Sequence, residues 1–485
     1  MISLLAAALV VKAFGSGPLN VTIRVDSGPL QTFSGFGAGI ASETSTGWGS
    51  LATRQQIDMM TQKIWGENKF NTARLLMDPA TYEPVYGFKD FDDYFTSFIT
   101  SNRVPSAIRY GAKNLLLSPF SIPPYMDDGT GYIADSQIPY YGALLADFIS
   151  QFKAKTGWLI NWTGILNEPT SSGKTTRFRV DQWPVMIKTL RAKLDSRGLQ
   201  AVHILAPETS QANADDSPGS AGGIINAIAG DPEAWADLDA VATHSYGVCA
   251  NPDMVAVARG KPYWTTESGS LLEQGELPGD TVQACTAATR FLIDMNNGVG
   301  TWIYYIGNEY NDPPVSSQMS YFNMPYSFVV LQKFYYLQQL SQAFDAGAVF
   351  RHCSSSLDGK MVWQNGIKPH MAAAFAKNPD GTFSIGLTNF TSNVFADPSA
   401  WLKLNGNLSP QNVSWMQTNS GASANTYTVS VVFPSLANTP SKVFHVYHSV
   451  PLGPSTYIGD YPMINGVLTV PQIGSLSLLT MRSVN

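Results

Sequence analysis

Through the first two thirds of the chain, short apolar runs alternate with segments of helical periodicity. Ile57, Met60 and Ile64 recur at helical spacing, as do Leu144, Leu145, Phe148, Ile149 and Phe152, and again Trp183, Met186, Ile187, Leu190 and Leu194. Between such segments the pattern predicts strands over 33–37, 71–76, 114–117, 159–166, 202–206, 240–244, 263–266 and 301–306. Eight strands interleaved with helices is the number that closes a (β/α)8 TIM barrel, expected here over residues 31–342.

Beyond residue 343 the helical period stops and alternating segments take over. Runs 370–375 and 382–388 flank Asn378-Pro379-Asp380-Gly381, in which Pro fixes one dihedral and Gly supplies a positive φ for a hairpin turn. Further strands are expected over 427–433, 442–448, 467–470 and 475–482. The pattern predicts an appended antiparallel β-sandwich over 343–485. Residues 17–30 contain a strand-like run (21–26) expected to pair into that sheet. No Ser/Gly- or Pro-rich linker separates the halves, so the sandwich is expected to brace the barrel through a firm interface.

Composition narrows the function classes. Only 14% of residues are charged and the net charge is −6, with no Lys/Arg run, which excludes a nucleic-acid surface. Aromatics at 12% suit clefts that stack on the apolar faces of sugars. Residues 1–16 read as a signal peptide, an apolar run closed by Ala13, Gly15 and Ser16, so the protein is expected to be secreted. No stretch reaches the roughly 20 apolar residues of a membrane span. Asn20, Asn161, Asn389, Asn407 and Asn412 lie in Asn-x-Ser/Thr sequences, which fit export, although Asn161 opens a barrel strand and is a poor glycan site. Cys249, Cys285 and Cys353 read as buried structural residues, and the six scattered histidines form no metal spacing. No metal or cofactor is expected, and the chain is read as a monomer.

Two glutamates carry the candidate chemistry. Glu168 closes the apolar run 162–166 as Asn167-Glu168-Pro169, and Glu267 closes Tyr263-Trp264-Thr265-Thr266. A buried strand that delivers one carboxylate at its C-terminal end is how a parallel barrel arms its catalytic face. Two such strands suggest a carboxylate pair facing a sugar bond, about 5–5.5 Å apart for a retaining enzyme and about 6.5–9.5 Å for an inverting one.

With these motifs the chain resembles glycoside hydrolase family 30, within the clan of retaining barrel glycosidases that carry Asn-Glu-Pro after strand four and a second Glu after strand seven. Phe33-Ser34-Gly35-Phe36-Gly37 resembles the family's first strand. Leu117-Ser118-Pro119-Phe120-Ser121-Ile122-Pro123-Pro124-Tyr125-Met126 resembles its Ser-Pro-Trp-Ser-Pro-Pro-x-Trp-Met segment, with Phe120 and Tyr125 in place of the tryptophans. Ala206-Pro207-Glu208 and Thr243-His244-Ser245-Tyr246-Gly247 match strands five and six, and 475–481 the last sandwich strand.

The resemblance implies that Glu168 is the acid/base, Glu267 the nucleophile, and Asn167 the residue that holds the sugar 2-hydroxyl. Arg74 would hydrogen-bond the nucleophile and keep it ionised. Tyr246 would donate to Glu267, His244 would line the same rim, and Trp302 and Phe120 would stack on the sugar. Glu208 reads as structural. Glu168 is expected to be protonated in the free site, promoted by the charge of Glu267. The glucuronate-recognising members carry an arginine pair after strand eight; here Tyr305-Ile306-Gly307-Asn308-Glu309-Tyr310 has none, which points to a neutral substrate.

The expected activity is therefore retaining hydrolysis, endo-acting on a neutral β-linked polysaccharide such as xylan, β-1,6-galactan or β-1,6-glucan. The alternatives are a glucosylceramidase-like exo-glycosidase and a carbohydrate-binding protein without activity. Gly173-Lys174-Thr175 is not a P-loop, because Glu168 stands where the motif needs glycine, and no G-x-S-x-G elbow is present.

Overall fold

The computed structural model describes residues 18–41, 53–171, 173–269, 281–309, 318–323, 327–357, 361–364, 368–393, 424–437 and 440–484. The expected signal peptide, Tyr310, Asn407 and Asn412 lie outside the described residues, as do the side chains of Asn308 and Glu309.

After strand β1 (Leu19–Val25), eight parallel strands close a barrel in chain order. They are β2 (Gly35–Ala41), β3 (Thr72–Met77), β4 (Asn114–Pro119), β5 (Trp162–Thr163), β6 (His203–Thr209), β7 (Ala240–His244), β8 (Tyr263–Ser268) and β9 (Thr301–Tyr304). Inward-facing Leu116, Leu205, Ala240, Ala242, Trp264 and Ile303 pack together inside it, against Trp162. The alternate residues face the helices and join the main core, which explains why these strands read as continuous apolar runs. β5 is short because the chain leaves the ladder at Gly164, yet Gly164 N still donates to Leu117 O (2.8 Å) and Asn167 N to Pro119 O (2.7 Å). Those two bonds keep the segment beside β4 up to Glu168.

A small sheet of β10 (Ile306–Glu309), β11 (Gln318–Asn323) and β12 (Ser327–Val330) follows the barrel. The remaining strands are β13 (Val349–Arg351), β14 (Cys353–Ser355), β15 (Met371–Lys377), β16 (Phe383–Asn389), β17 (Tyr427–Val432), β18 (Lys442–His448), β19 (Thr456–Ile464), β20 (Val467–Ile473) and β21 (Ser477–Ser483). With β1 they form a mostly antiparallel ten-stranded sheet, ordered β13-β15-β16-β21-β18-β19-β20-β17-β1-β14, that encloses a second core. β1 pairs in parallel with β17 and antiparallel with β14, so the chain's first strand is held by its last third.

Two helices join the halves. In helix Thr281–Asn296 every residue after the first is buried, and Thr289 bonds Thr388 of β16 (2.9 Å). From helix Gln332–Ala343, Tyr336 donates to Leu476 O (2.8 Å), Gln332 to Val450 O (2.7 Å) and Gln339 to Tyr447 O (3.0 Å). Side-chain bonds to backbone carbonyls fix orientation in a way that apolar contact alone does not.

Cys249, Cys285 and Cys353 are buried and free. Asn389 is fully buried and donates to Asn425 O and Ile473 O, so its Asn-x-Thr sequence is closed to a glycan in the folded protein. Asn161 is likewise engaged, tying β4 to β5 through Leu115 N and Asn114. No described helix is long and apolar enough to cross a membrane.

Candidate active site

At the C-terminal ends of the strands the inward positions turn polar and meet around one guanidinium. Arg74, fully buried on β3, donates from Nη1 to Glu267 Oε2 (2.5 Å). From Nη2 it donates to Asn167 Oδ1 (2.6 Å), Ser118 Oγ (2.8 Å) and Glu208 Oε1 (3.3 Å). An ion buried at this depth is tolerated because both ends of its fork find acceptors. Burial disfavours its charge, but Glu267 and then Glu208 outweigh that and raise its pKa.

Glu267 is 5% exposed at the end of β8, and its second oxygen accepts from the Tyr246 hydroxyl (2.6 Å). Burial first, and Glu267 second, hold that phenol well above its ordinary pKa, so Tyr246 remains a donor. Glu168 sits opposite at φ +45°, a conformation a residue with a Cβ adopts at a cost, and its backbone N–H donates to Glu208 O (3.0 Å). His244, buried at the end of β7, places Nδ1 3.0 Å from Glu168 Oε1 and 3.8 Å from Glu267 Oε1. Its Nε2 lies 3.5 Å from Arg74 Nη2. Nδ1 is therefore the ring nitrogen that faces Glu168, and Nε2 the one that faces the guanidinium. One oxygen of Glu168, one of Glu267 and a nitrogen of His244 lie within 4.8 Å of one another. That spacing could suit a metal ion. Arg74 and Tyr246, however, already occupy both oxygens of Glu267, and a guanidinium beside the cluster opposes a second cation.

The pKa of Glu168 moves the opposite way from the sequence expectation. Burial pushes its pKa up, but the hydrogen bond from His244 and the pull of His244, Arg74 and Lys174 outweigh burial and hold it below the usual value. The charge of Glu267, expected to keep Glu168 protonated, is instead engaged by Arg74 and Tyr246.

Glu208 is integral to this cluster. Ser118 Oγ lies 2.9 Å from each of its oxygens. Its carboxylate also fills the space a side chain at position 164 would need: a Cβ on Gly164 would sit 2.0 Å from Glu208 Oε2. Gly164→Ala is therefore expected to push Glu208 off Arg74 and lower kcat with little change in KM, which steady-state kinetics beside a melting curve will check.

The structure brings Glu168, Glu267, Asn167, Arg74, His244 and Tyr246 together. Phe120 stands at the rim, 47% exposed, with Lys174 Nζ 3.6 Å over its ring. Trp302 is a correction: it is fully buried on the helix-facing side of β9, donates to Asp294 (2.9 Å) and packs against Phe36 and Phe291, so it stacks on nothing in the cleft. The side-chain alternation of β9 sends Ile303 inward instead.

Sequence reasoning does not find Ser118, Lys174 or Asp78. Lys174 attracts notice only as part of a false phosphate loop. Burial lowers its pKa to about 8, with Glu168, Asp78 and Glu267 opposing that shift. Asp78 caps the turn after β3 through Ala80 N (3.1 Å), and Asp-Pro at a strand end is its available signal.

Solved structures share this architecture end to end. The catalytic domain of GH30 xylanase C from Talaromyces cellulolyticus superposes with a TM-score of 0.68 at 16% identity, covering 96% of this chain and 100% of that one. The fold is that of glycoside hydrolase family 30. A family 30 subfamily 8 xylanase from Clostridium acetobutylicum gives 0.66 at 16% identity (96% and 100% covered), and an endo-β-1,6-glucanase gives 0.63 at 14% (96% and 95%). By sequence, the chain is 26% identical over 319 residues to the Caenorhabditis elegans protein named "Putative glucosylceramidase 3". That match takes in 59% of this chain and 60% of the relative, so it spans less than two thirds of the relative's length. No protein-family model matches the chain. In family 30 terms, β5 and β8 are barrel strands four and seven, and the two glutamates stand at their ends.

Proposed function

We propose that the protein is a secreted retaining β-glycoside hydrolase, endo-acting on a neutral β-linked polysaccharide. The observation that carries this reading is the spacing of the two glutamates, with one oxygen of each and a nitrogen of His244 all within 4.8 Å. So close an approach of the two carboxylates supports covalent catalysis, which uses the shorter carboxyl separation of about 5–5.5 Å, over the wider gap that accommodates a water.

Glu267, paired with Arg74 and aligned by Tyr246, attacks the anomeric carbon while Glu168 protonates the departing oxygen. Water, deprotonated by Glu168, then releases the sugar from Glu267. Arg74 holds the oxygen of the Asn167 amide, which leaves Nδ2 as the donor for the sugar 2-hydroxyl. Phe120 offers an exposed ring at the rim. The absence of arginine in 305–310 supports a neutral substrate. Incubation with xylan, β-1,6-galactan and β-1,6-glucan, with products read by mass, tests the reading: oligosaccharides from one of them support it, and intact polymer in all three refutes it. The curated relative's name favours a second reading, exo-hydrolysis of a glucosyl lipid, for which the product would be free glucose.

The lowered pKa of Glu168 sets a pH dependence. Turnover needs Glu168 protonated, so kcat/KM falls as pH rises through its free-site pKa, and a lowered value places that limb on the acid side. His244→Phe removes the hydrogen bond and the electrostatic pull that lower it, and the limb is expected to move to higher pH. A pH profile of kcat/KM in which the limb stays put would remove His244 from this role.

A further inference from the structure

The outer face of the sandwich carries a second built cleft, far in sequence from the barrel's catalytic strands. Helix Gln332–Ala343 covers β21, but the outward faces of β18 and β19 beside it are left open. A cavity of about 360 Å³ lies there, lined by Gln339, Gln342, His445, Tyr447, Thr480 and Arg482 among others. Strand register sets the residues at and beside it in two rows. Arg482, His445 and Asp460 are neighbours across β21, β18 and β19, and Thr480, Tyr447 and Tyr457 form the next row. Tyr447, which lines the cavity, is 40% exposed, and its ring packs against that of Tyr457, 51% exposed, with centroids 5.6 Å apart, so two exposed aromatic rings stand together beside the opening. Tyr457 is anchored by its hydroxyl on Asp460 (2.6 Å), which also bonds His445.

We infer that this cleft binds a neutral glycan chain. Aromatic rings beside hydrogen-bonding groups match a sugar, which offers an apolar face of C–H groups and a rim of hydroxyls. Gln339 lines the cavity and is 3% exposed, and its Oε1 has no hydrogen-bond partner among the described residues. Charge excludes an acidic ligand. Arg482 is already paired with Asp345 (2.6 Å) and Asp380 (2.7 Å), and the half-exposed Asp460 adds a carboxylate at the rim. A second site on the same polymer would raise the local concentration of chain at the barrel cleft. The ligand class rests on the proposed activity; the existence of the cleft does not.

Affinity electrophoresis tests it, using the full chain carrying Glu267→Gln so that the matrix survives. Native gels are cast with soluble xylan, β-1,6-glucan or β-1,6-galactan. Retardation by at least one polymer is expected, and Tyr447→Ala with Tyr457→Ala is expected to weaken it about tenfold, the loss of a small aromatic hot spot. Gln342→Trp, a change at an exposed helix position, fills the cleft without removing a buried group and is expected to do the same. Equal retardation of parent and both variants, or no retardation of the parent by any polymer, overturns the inference. Product analysis on the unsubstituted protein tests the catalytic proposal separately, so either can fail alone.

Discussion

Glu267→Gln is expected to remove nearly all turnover, a loss of at least about 10³-fold in kcat, because the amide cannot form the glycosyl ester. The fold should survive, since Gln keeps the shape and its carbonyl can still accept a hydrogen bond from Arg74 or Tyr246. Glu168→Ala should behave differently. An aryl glycoside whose leaving group needs no proton should still be attacked by Glu267, whereas polysaccharide hydrolysis should collapse. Steady-state rates on both substrates separate the two roles. Normal hydrolysis by the Glu267 variant would show that the roles are misassigned.

Arg74→Met is expected to have the largest effect on stability. It leaves Glu267 and Glu208 as buried carboxylates without their shared cation, and breaking a buried pair in this way costs about 3–5 kcal/mol. Urea denaturation should show a lower midpoint with an unchanged slope. Arg74→Lys should recover part of the stability and little of the activity. One ammonium cannot reproduce the fork that reaches Glu267 from Nη1 and Asn167, Ser118 and Glu208 from Nη2.

The barrel is legible in the sequence because parallel strands buried on both faces read as apolar runs between helical periods. Strand β7 falls where the pattern places it, and the others shift by a few residues. The largest shift is at β5, expected over 159–166 but limited to Trp162–Thr163, because the ladder breaks where Glu208 occupies the space beside Gly164. Apolarity alone cannot record that break. Strand β18 is equally clear, but its partner β19 escapes the pattern because it is exposed along most of its length and so shows no alternation. The short β13 and β14 carry too few residues for a period to show.

Within the site, the residues at strand ends are readable from their position and motif. What they do to one another is not. Trp302 is misplaced by side-chain parity, since a strand buried on both faces does not reveal which residues point inward. Glu208 reads as an ordinary strand-end acid, and only the fold sets it 3.3 Å from Arg74. The lowered pKa of Glu168 depends on His244 Nδ1 at 3.0 Å, a distance between β7 and the segment after β5 that no sequence spacing encodes.

The spacing of Glu168 and Glu267 makes a stereochemical commitment. Proton NMR of the first product formed from a β-linked oligosaccharide, recorded before mutarotation, reads it directly. The β-anomer appearing first is the result expected of two displacements through Glu267. The α-anomer appearing first would mean a single displacement by water and would contradict the account.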